Sequence, residues 1–307
     1  MPEAKSKHKE KNPPRFRSGY IAIVGRPNVG KSTLLNQILG EKVAIVSPRP
    51  QTTRNRITGI RTTETSQIVF LDTPGIHQGH SLIQRRLVDT ALQTLDEVDG
   101  VVWLLDAHDR IKLEEERIAE TLSGVETPVL IVLNKIDLVA KGKLLPLMER
   151  CAQLLPGKEI VPVSALKGEG LPIVLDIVEK WLPEGEPYFT GGEYTDQTER
   201  FLASEVIREQ VFLLTREEIP YGVAVTIDEF TEKEEKNLIV IAATIHTERD
   251  SHKGILIGKR GAMLKEIGQR ARGELEKIFA CRIFLELFIR VDANWTQNPN
   301  LLTEMGL

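Results

Sequence analysis

Short runs of apolar residues recur through the first half of the chain, with helical patterns between several of them. Because these runs are continuous and do not alternate with polar residues, they predict strands that are buried on both faces of a sheet. The intervening helices, as at 82–97 and 113–122, favour a mostly parallel sheet that is covered on both sides. The predicted strands are Tyr20 to Val24, Ile68 to Leu71, Val101 to Leu105, Val129 to Leu133 and Ile160 to Val163.

Proline and glycine cluster after residue 182, and this cluster predicts a linker. Beyond it, the pattern indicates a helix, two alternating strands, a glycine-rich turn, a second helix and a last strand, which is typical of a small α+β domain. We expect Phe284 to Val291 of the last strand to lie in the sheet core. The predicted parts are a basic disordered tail (1–18), an α/β domain (19–182), the linker (183–197), the α+β domain (198–292) and a C-terminal tail (293–307).

Composition narrows the classes of protein to consider. The chain has 307 residues, enough for about two domains. Its 44 acidic and 40 basic residues give a net charge of −4, which excludes a uniformly basic nucleic-acid coat. Two distant cysteines exclude a disulfide scaffold and favour a reducing cytosol. We expect no signal peptide and no transmembrane segment, because every apolar run is too short. The basic residues of the tail are either simply solvated or an arm that touches RNA or an anionic surface.

A phosphate-binding motif follows the first predicted strand. Residues 25–32 match G-x-x-x-x-G-K-[ST] between a strand and a helix, as that motif requires. Its glycines let consecutive N–H groups converge on phosphate oxygens, Lys31 reaches the β- and γ-phosphates, and the Ser32 hydroxyl ligates Mg²⁺. The sequence therefore predicts a nucleoside triphosphate site. Its candidate phosphate-binding residues are Gly25, Arg26, Pro27, Asn28, Val29, Gly30, Lys31, Ser32 and Thr33.

Three further segments end predicted strands and complete the site. In Asp72-Thr73-Pro74-Gly75, Asp72 can hold Mg²⁺ through water, and the Gly75 N–H can sense the γ-phosphate. A carboxylate placed like Asp137 can accept both N1–H and N2–H₂ of guanine, a pair of donors that adenine lacks. Since ligands bind at the carboxyl edge of such sheets, guanine specificity follows. The candidate guanine-binding residues are Asn134, Lys135, Asp137, Ser164, Ala165 and Leu166.

These motifs resemble the translation-factor-related class of GTPases. The resemblance implies that Pro50-Gln51-Thr52-Thr53-Arg54 is a first switch in which a threonine completes the Mg²⁺ shell, and Thr53 is the better candidate than Thr52. Ile76 stands where Ras-like GTPases carry the glutamine that orients water, so we expect slow intrinsic hydrolysis. In similar GTPases an asparagine placed like Asn28 helps to hold K⁺, which implies stimulation by K⁺. The candidate switch and hydrolysis residues are Thr52, Thr53, Asp72, Thr73, Pro74, Gly75 and Ile76.

The second domain carries a G-x-x-G turn at Gly258 to Gly261, followed by an amphipathic helix. Its glycines allow close approach of a nucleic-acid backbone, and Lys259 and Arg260 place positive charge there. The segment from Arg249 to Lys277 contains eight basic and four acidic residues, which indicates a local basic site. The order of elements resembles a bacterial-type KH domain, which implies binding of single-stranded RNA. The candidate RNA-binding residues are Ile257, Gly258, Lys259, Arg260, Gly261 and Lys265.

Together, the GTPase motifs and the KH-like domain resemble the Era family of bacterial GTPases. The resemblance implies GTP/GDP and Mg²⁺ as ligands, the 3′ end of 16S rRNA and the small ribosomal subunit as partners, and a role in assembly of that subunit. It also implies a cytoplasmic protein, in part peripheral at the cytoplasmic face of the membrane. Two alternatives stay open at this point: a tRNA-modification-linked GTPase, and a membrane-associated regulatory GTPase.

Overall fold

The computed structural model describes residues 15–47, 49, 52–76 and 82–306. Its first sheet has six strands in the order β2-β3-β1-β4-β5-β6. All neighbouring strands run parallel except β2, which is antiparallel to β3. The strands are β1 (Arg17–Gly25), β2 (Ile57–Thr62), β3 (Ser66–Asp72), β4 (Gly100–Asp106), β5 (Val129–Asn134) and β6 (Glu159–Pro162). The predicted fold class, a mostly parallel sheet followed by a small α+β domain, is confirmed.

Helices cover both faces of this sheet, as the continuous apolar strands require. Leu34 and Leu35 of one helix and Val174 and Val178 of another pack on one face, and Ile118 packs on the opposite face. The helices of this part are α1 (Lys31–Leu39), α2 (Leu82–Gln93), α3 (Leu113–Ser123), α4 (Leu144–Leu154) and α5 (Leu171–Trp181). Because β1, β3, β4 and β5 share one direction, their carboxyl ends meet at one edge of the sheet.

The second sheet has three strands in the order β7-β8-β9, with β7 antiparallel and β9 parallel to β8. Its helices pack a common apolar core against one face. The strands are β7 (Val223–Lys233), β8 (Leu238–Thr247) and β9 (Arg282–Val291), and the helices are α6 (Glu199–Leu214), α7 (Asp250–Ile257) and α8 (Ala262–Phe279). Helix α7 was not predicted, because its eight residues include glycine and lack a clear polar face. Phe284 and Phe288 are half exposed, so the prediction that they lie in the sheet core is wrong.

Parts of both predicted tails belong to the folded structure. β1 begins two residues before the predicted boundary at residue 19, because Arg17 and Ser18 pair with β3. Residues 1–14 of the predicted tail lie outside the described residues. In the predicted C-terminal tail, helix α9 (Pro299–Glu304) follows the fully buried Trp295. Trp295 shares an apolar cluster with Ile83 of α2.

The linker contacts the first sheet along β2. The Ile60 N–H donates to the Tyr194 carbonyl at 2.8 Å, and the Thr195 hydroxyl donates to the Thr58 carbonyl at 2.7 Å. No helix in the described part of the chain combines the length and apolar character that a membrane crossing would need.

Candidate functional site

The phosphate-binding motif forms a loop between β1 and α1 at the carboxyl edge of the first sheet. Gly25 and Gly30 have φ of +150° and +102°, values that a side chain makes costly. Lys31 is almost fully buried, and its Nζ donates to the carbonyls of Gly25 at 3.1 Å and Arg26 at 3.0 Å. The loop borders a cavity of about 360 Å³. The cavity is lined by Pro27, Asn28, Gly30, Lys31, Ser32, Thr33, Ile45, Val46, Ser47, Thr52, Thr53, Gly75 and Lys135.

Three oxygen-bearing side chains meet at the start of α1. The Ser32 hydroxyl donates to Asp72 Oδ2 at 2.6 Å and lies 2.9 Å from the Thr53 hydroxyl. Asp72 is fully buried, and its Oδ1 has no hydrogen-bond partner among the described residues. An orphaned carboxylate oxygen beside two hydroxyls fits an oxygen-liganded cation such as Mg²⁺. The Thr52 hydroxyl is not part of this cluster: it contacts the Ser47 hydroxyl at 2.6 Å and donates to the Arg49 carbonyl at 2.8 Å.

Burial favours the neutral forms of the two charged side chains here, Lys31 and Asp72. It lowers the pKa of Lys31 to about 8, a shift that the carboxylate of Asp72 opposes. It raises the pKa of Asp72 to about 6, a shift that Lys31, Ser32 and Thr53 oppose. Each charge therefore lacks a sufficient counter-charge in the protein. A phosphate with its bound Mg²⁺ would supply both, negative charge for Lys31 and positive charge for Asp72.

The segment after Asp72 packs tightly against the phosphate loop. A Cβ at Gly75 would lie 2.6 Å from the backbone nitrogen of Pro27, so only glycine fits there. The Thr73 hydroxyl donates to the Ile23 carbonyl at 2.9 Å, which gives Thr73 a buried anchoring contact. Ile76 packs on the sheet core and offers no polar group for positioning water.

Asn134 joins the phosphate loop to the predicted guanine segments. Its Nδ2 donates to the Val29 carbonyl at 2.7 Å, and its Oδ1 accepts from the Ala165 N–H at 2.9 Å. The Ser164 hydroxyl donates to Asp137 Oδ1 at 2.7 Å, which orients that carboxylate. Leu166 is exposed. Of this set, only Lys135 reaches the lining of the cavity, and the others stand at the strand ends beside it.

Sequence reasoning missed three ion pairs that fix the loop. Lys135 Nζ lies 2.6 Å from Asp106 Oδ2 and donates to the Asn28 carbonyl at 2.7 Å. Arg26 pairs with Glu115 of α3 and with Asp109 at 3.0 Å, so its side chain turns away from the cavity. Asp106 directly follows the predicted strand Val101 to Leu105, and that position was the available signal. Nothing local in the sequence marks Glu115. Pro50 and Gln51 of the predicted first switch lie outside the described residues.

The second candidate site lies between α8 and β9. Gly258 and Gly261 have φ of +72° and +79°, and Lys259 and Arg260 are exposed on the turn between them. Lys265 is also exposed, whereas Ile257 is half-buried. A groove of about 480 Å³ follows α8 from this turn. It is lined by Gly261, Leu264, Lys265, Gly268, Gln269, Arg272, Ile283, Phe284, Leu285 and Leu287.

The groove combines positive charge, apolar walls and an exposed aromatic ring. Lys265 and Arg272 are two helical turns apart on one face of α8, with Gly268 between them at the groove floor. Phe284 stands opposite on β9 and is 51 % exposed. These features suit a backbone phosphate and a stacked base. The helical spacing of Lys265, Gly268 and Arg272 was a readable signal that sequence reasoning did not use.

Comparison with known proteins finds a matching family for each part of the chain. Residues 20–135 match the family of 50S ribosome-binding GTPases, and residues 218–296 match the KH domain family. GTPase Era of Syntrophus aciditrophicus is 53 % identical over 291 residues, which cover 95 % of each chain. The chain belongs to the Era family of GTPases. GTPase Era of Geobacter metallireducens is 50 % identical, over 95 % of this chain and 98 % of that protein.

Two solved Era structures share the whole arrangement. A point variant of Aquifex aeolicus Era bound to GDP·AlF₄⁻ has a TM-score of 0.91 and 42 % identity. Era in complex with MgGDPNP and nucleotides 1506–1542 of 16S ribosomal RNA has a TM-score of 0.91 and 41 % identity. Each match covers 95 % of this chain and 99 % of the other. Membership of the Era family confirms the predicted enzyme class, a GTPase that converts GTP to GDP and phosphate.

Proposed function

We propose that this Era-family GTPase is a GTP-driven switch that binds the 3′ end of 16S rRNA and acts in assembly of the small (30S) ribosomal subunit. One observation carries the proposal. A relative with a TM-score of 0.91 is an Era that holds MgGDPNP and a segment of 16S rRNA together. This chain has a matching place for each ligand: the Ser32, Thr53 and Asp72 cluster for the nucleotide, and the groove at Gly258 to Gly261 for the RNA.

In this proposal the phosphate loop and the strand ends hold GTP or GDP. Backbone N–H groups of the loop and Lys31 bind the phosphates, and Ser32 and Thr53, with Asp72 through water, hold Mg²⁺. When bound, Mg²⁺ neutralises charge on the β- and γ-phosphates. Asp137 accepts hydrogen bonds from guanine, and the Lys135 stem lies along the purine face. The Ala165 N–H, which was predicted to reach guanine O6, is buried and donates to Asn134 Oδ1 at 2.9 Å, so we do not assign it to the base. Gly75 senses the γ-phosphate.

Potassium is the proposed activator, held in part by Asn28. The support is chemical. Ile76 packs on the core and cannot orient the attacking water, so added positive charge at the phosphates is the proposed means of stabilising the transition state. We expect hydrolysis with RNA present to be at least about tenfold faster in KCl than in NaCl. The Asn28→Gly variant lacks the side-chain oxygen and tolerates the φ of +64°, so it should lose most of this difference between the two salts. Equal rates in the two salts would remove K⁺ from the proposal.

RNA binding is tested by charge reversal at the glycine turn. Lys259→Asp with Arg260→Asp should weaken binding of a single-stranded RNA matching the 3′ end of 16S rRNA by at least about 100-fold, since two phosphate contacts become repulsive. Basal GTP hydrolysis should stay unchanged. The control is Lys141→Asp with Lys143→Asp, which makes the same charge change on an exposed turn of the first domain.

Binding is measured with the GTP-analogue and GDP forms, and a scrambled RNA serves as the second control. Sequence-selective binding that depends on the nucleotide supports the switch. Selective binding that ignores the nucleotide would retain the groove and refute the switch. If the double variant at the turn binds as well as the control variant, the groove assignment is refuted.

The proposal also places the protein in the cytoplasm, partly at the inner face of the membrane. Its support is the family resemblance and the basic residues Lys5, Lys7, Lys9 and Lys11, all outside the described part of the chain. Flotation with anionic vesicles should carry the intact chain, and changing the four lysines to glutamine should reduce the floated fraction several-fold. Equal flotation of the two proteins would refute a role of these lysines in membrane association.

A further inference from the structure

Residues 42–47, 49 and 52–54, called here the switch loop, lie between the nucleotide cavity and the second domain. On the cavity side, Ile45, Val46, Ser47, Thr52 and Thr53 contribute to the lining. On the other side, the loop contacts helix α6, helix α8 and the turn before β7. The second domain therefore touches the segment that carries the proposed Mg²⁺ ligand.

Two consecutive residues of α6 hold the switch loop at separate points. Arg208 Nη2 donates to the Thr52 carbonyl. Glu209 accepts from the Val46 N–H at 2.9 Å and pairs with Lys42 at 2.6 Å. Both α6 residues are almost fully buried, at 3 % exposure each. One helix thus holds the loop at Lys42, Val46 and Thr52, and the last two of these residues line the cavity.

Arg54 makes the reverse contact, from the loop into the second domain. Its guanidinium donates to the carbonyls of Val223 at 2.7 Å, Tyr221 at 2.8 Å and Pro220 at 3.2 Å. Since Arg54 directly follows Thr53, the backbone on both sides of that threonine is anchored to the second domain: the Thr52 carbonyl before it and the Arg54 side chain after it.

Burying two arginine side chains carries a desolvation cost, so these contacts are poorly suited to stabilising the fold alone. Arg54 and Arg208 both lie over the ring of Phe212, at 5.8 and 5.3 Å from its centre. Burial, reinforced by the positive charge of Arg208, lowers the pKa of Arg54 to about 9, so Arg54 stays charged at neutral pH. Arg54 Nε and Arg208 Nη1 have no partner among the described residues. Apolar side chains would fill such a position at lower cost, which favours a positioning role.

We propose that Arg208 is a positioning residue for GTP hydrolysis. It acts from the second domain through the Thr52 carbonyl, and so keeps the Thr53 hydroxyl beside Ser32. The chain of contacts is short: Arg208 to the Thr52 carbonyl, one residue along the backbone, then 2.9 Å from Thr53 Oγ1 to Ser32 Oγ. This inference rests on the proposed role of Thr53 as a Mg²⁺ ligand. It makes the second domain part of the apparatus that prepares the Mg²⁺ site.

The test compares Mg²⁺ dependence of GTP hydrolysis in the full-length chain and its variants. Arg208→Met keeps the aliphatic stem over Phe212 and removes the hydrogen bond. We expect it to raise the Mg²⁺ concentration for half-maximal hydrolysis about tenfold and to lower kcat about tenfold, as loss of a charged hydrogen bond predicts. GDP affinity should change by less than about twofold, because Arg208 contacts none of the proposed phosphate- or guanine-binding residues.

Arg200→Met is the matched control. Arg200 lies on the same helix, over Phe230, and donates to the Ile227 carbonyl within the second domain. It should leave the Mg²⁺ dependence as in the wild type. Should Arg208→Met not fold, Glu205→Gln gives a milder version, since the Glu205 carboxylate holds the Arg208 guanidinium at 2.6 and 2.7 Å. We expect about a threefold shift from it.

The Thr53→Ala variant distinguishes the proposed role of Thr53 as a Mg²⁺ ligand from the proposed role of Arg208 in positioning it. If Thr53→Ala shifts the Mg²⁺ dependence and folded Arg208→Met does not, the role of Arg208 is refuted and that of Thr53 stands. If Thr53→Ala itself leaves the Mg²⁺ dependence unchanged, the proposed Mg²⁺ shell and this inference are both refuted. A shift in Arg200→Met equal to that in Arg208→Met would also overturn the inference, because the effect would then be a general one of the helix.

Discussion

Replacing Asn134 with alanine should damage both stability and nucleotide binding. The side chain is 2 % exposed and satisfies two buried backbone groups, the Val29 carbonyl and the Ala165 N–H. A buried group that loses its partner costs about 1–3 kcal/mol. Because the two losses share one side chain and the site can partly relax, we expect unfolding free energy to fall by about 2–4 kcal/mol.

The functional effect follows from what Asn134 connects. Without it, the phosphate loop and the Ala165 segment are no longer held to each other, so GDP must order them on binding. A cost of about 1.4 kcal/mol for this ordering corresponds to a tenfold loss of affinity. Urea unfolding measures the stability, and titration with a fluorescent GDP analogue measures the affinity.

Gln67→Ala is the matched control for this variant. Gln67 is a similarly buried amide, 1 % exposed, that donates to the Phe189 carbonyl at 2.8 Å and accepts from its N–H at 3.0 Å. Gln67→Ala should cost similar stability and leave GDP affinity unchanged, because it joins β3 to the linker. Equal GDP affinities of wild type and Asn134→Ala would refute the reasoning. So would a stability loss below about 0.5 kcal/mol, which is typical of surface substitutions.

Three further outcomes are expected. Gly75→Ala should abolish GTP hydrolysis while GDP binding persists in a titration, because its Cβ would lie 2.6 Å from the Pro27 backbone and prevent the segment from closing on the γ-phosphate. Trp295→Ala should lower the unfolding free energy in urea by about 3–5 kcal/mol, since it removes a fully buried ring and its hydrogen bond to the Gly222 carbonyl at 3.1 Å. Cys151, whose pKa burial raises to about 11, should react with iodoacetamide at pH 8 only after unfolding; rapid labelling of Cys151 itself in the native protein, read separately from the half-buried Cys281, would contradict its burial.

The positions at the carboxyl edge of the first sheet could be predicted from the sequence because parallel strands bring their ends together. Asp72 and Asn134 each follow a buried apolar run, so one sequence pattern places both in the same neighbourhood. Contacts that depend on how distant elements pack could not be predicted this way. The Arg26 to Glu115 ion pair joins residues 89 positions apart, and no local sequence pattern near either residue predicts it.

The helices and contacts of the second domain were harder to predict from the sequence for a related reason. Its helix α7 is short and carries weak periodicity, so local pattern alone left it unassigned. The Arg208 contact to the switch loop joins residues 156 positions apart and depends on how helix α6 packs against the first domain. Arg208, Glu209 and Gln210 are buried in α6, but the local sequence pattern does not show that burial, because it depends on the packing of the two domains.

The linker has a consequence for the behaviour of the protein in a crowded cell. An open sheet edge offers unpaired backbone groups to other chains and invites association. Here the Ile60 N–H already donates to the Tyr194 carbonyl, so the linker shields the β2 edge against such pairing. The opposite edge is β6, a strand of only four residues that ends in Pro162, which is a poor template for a foreign strand. The segment that joins the two domains thus also protects the chain from aggregation.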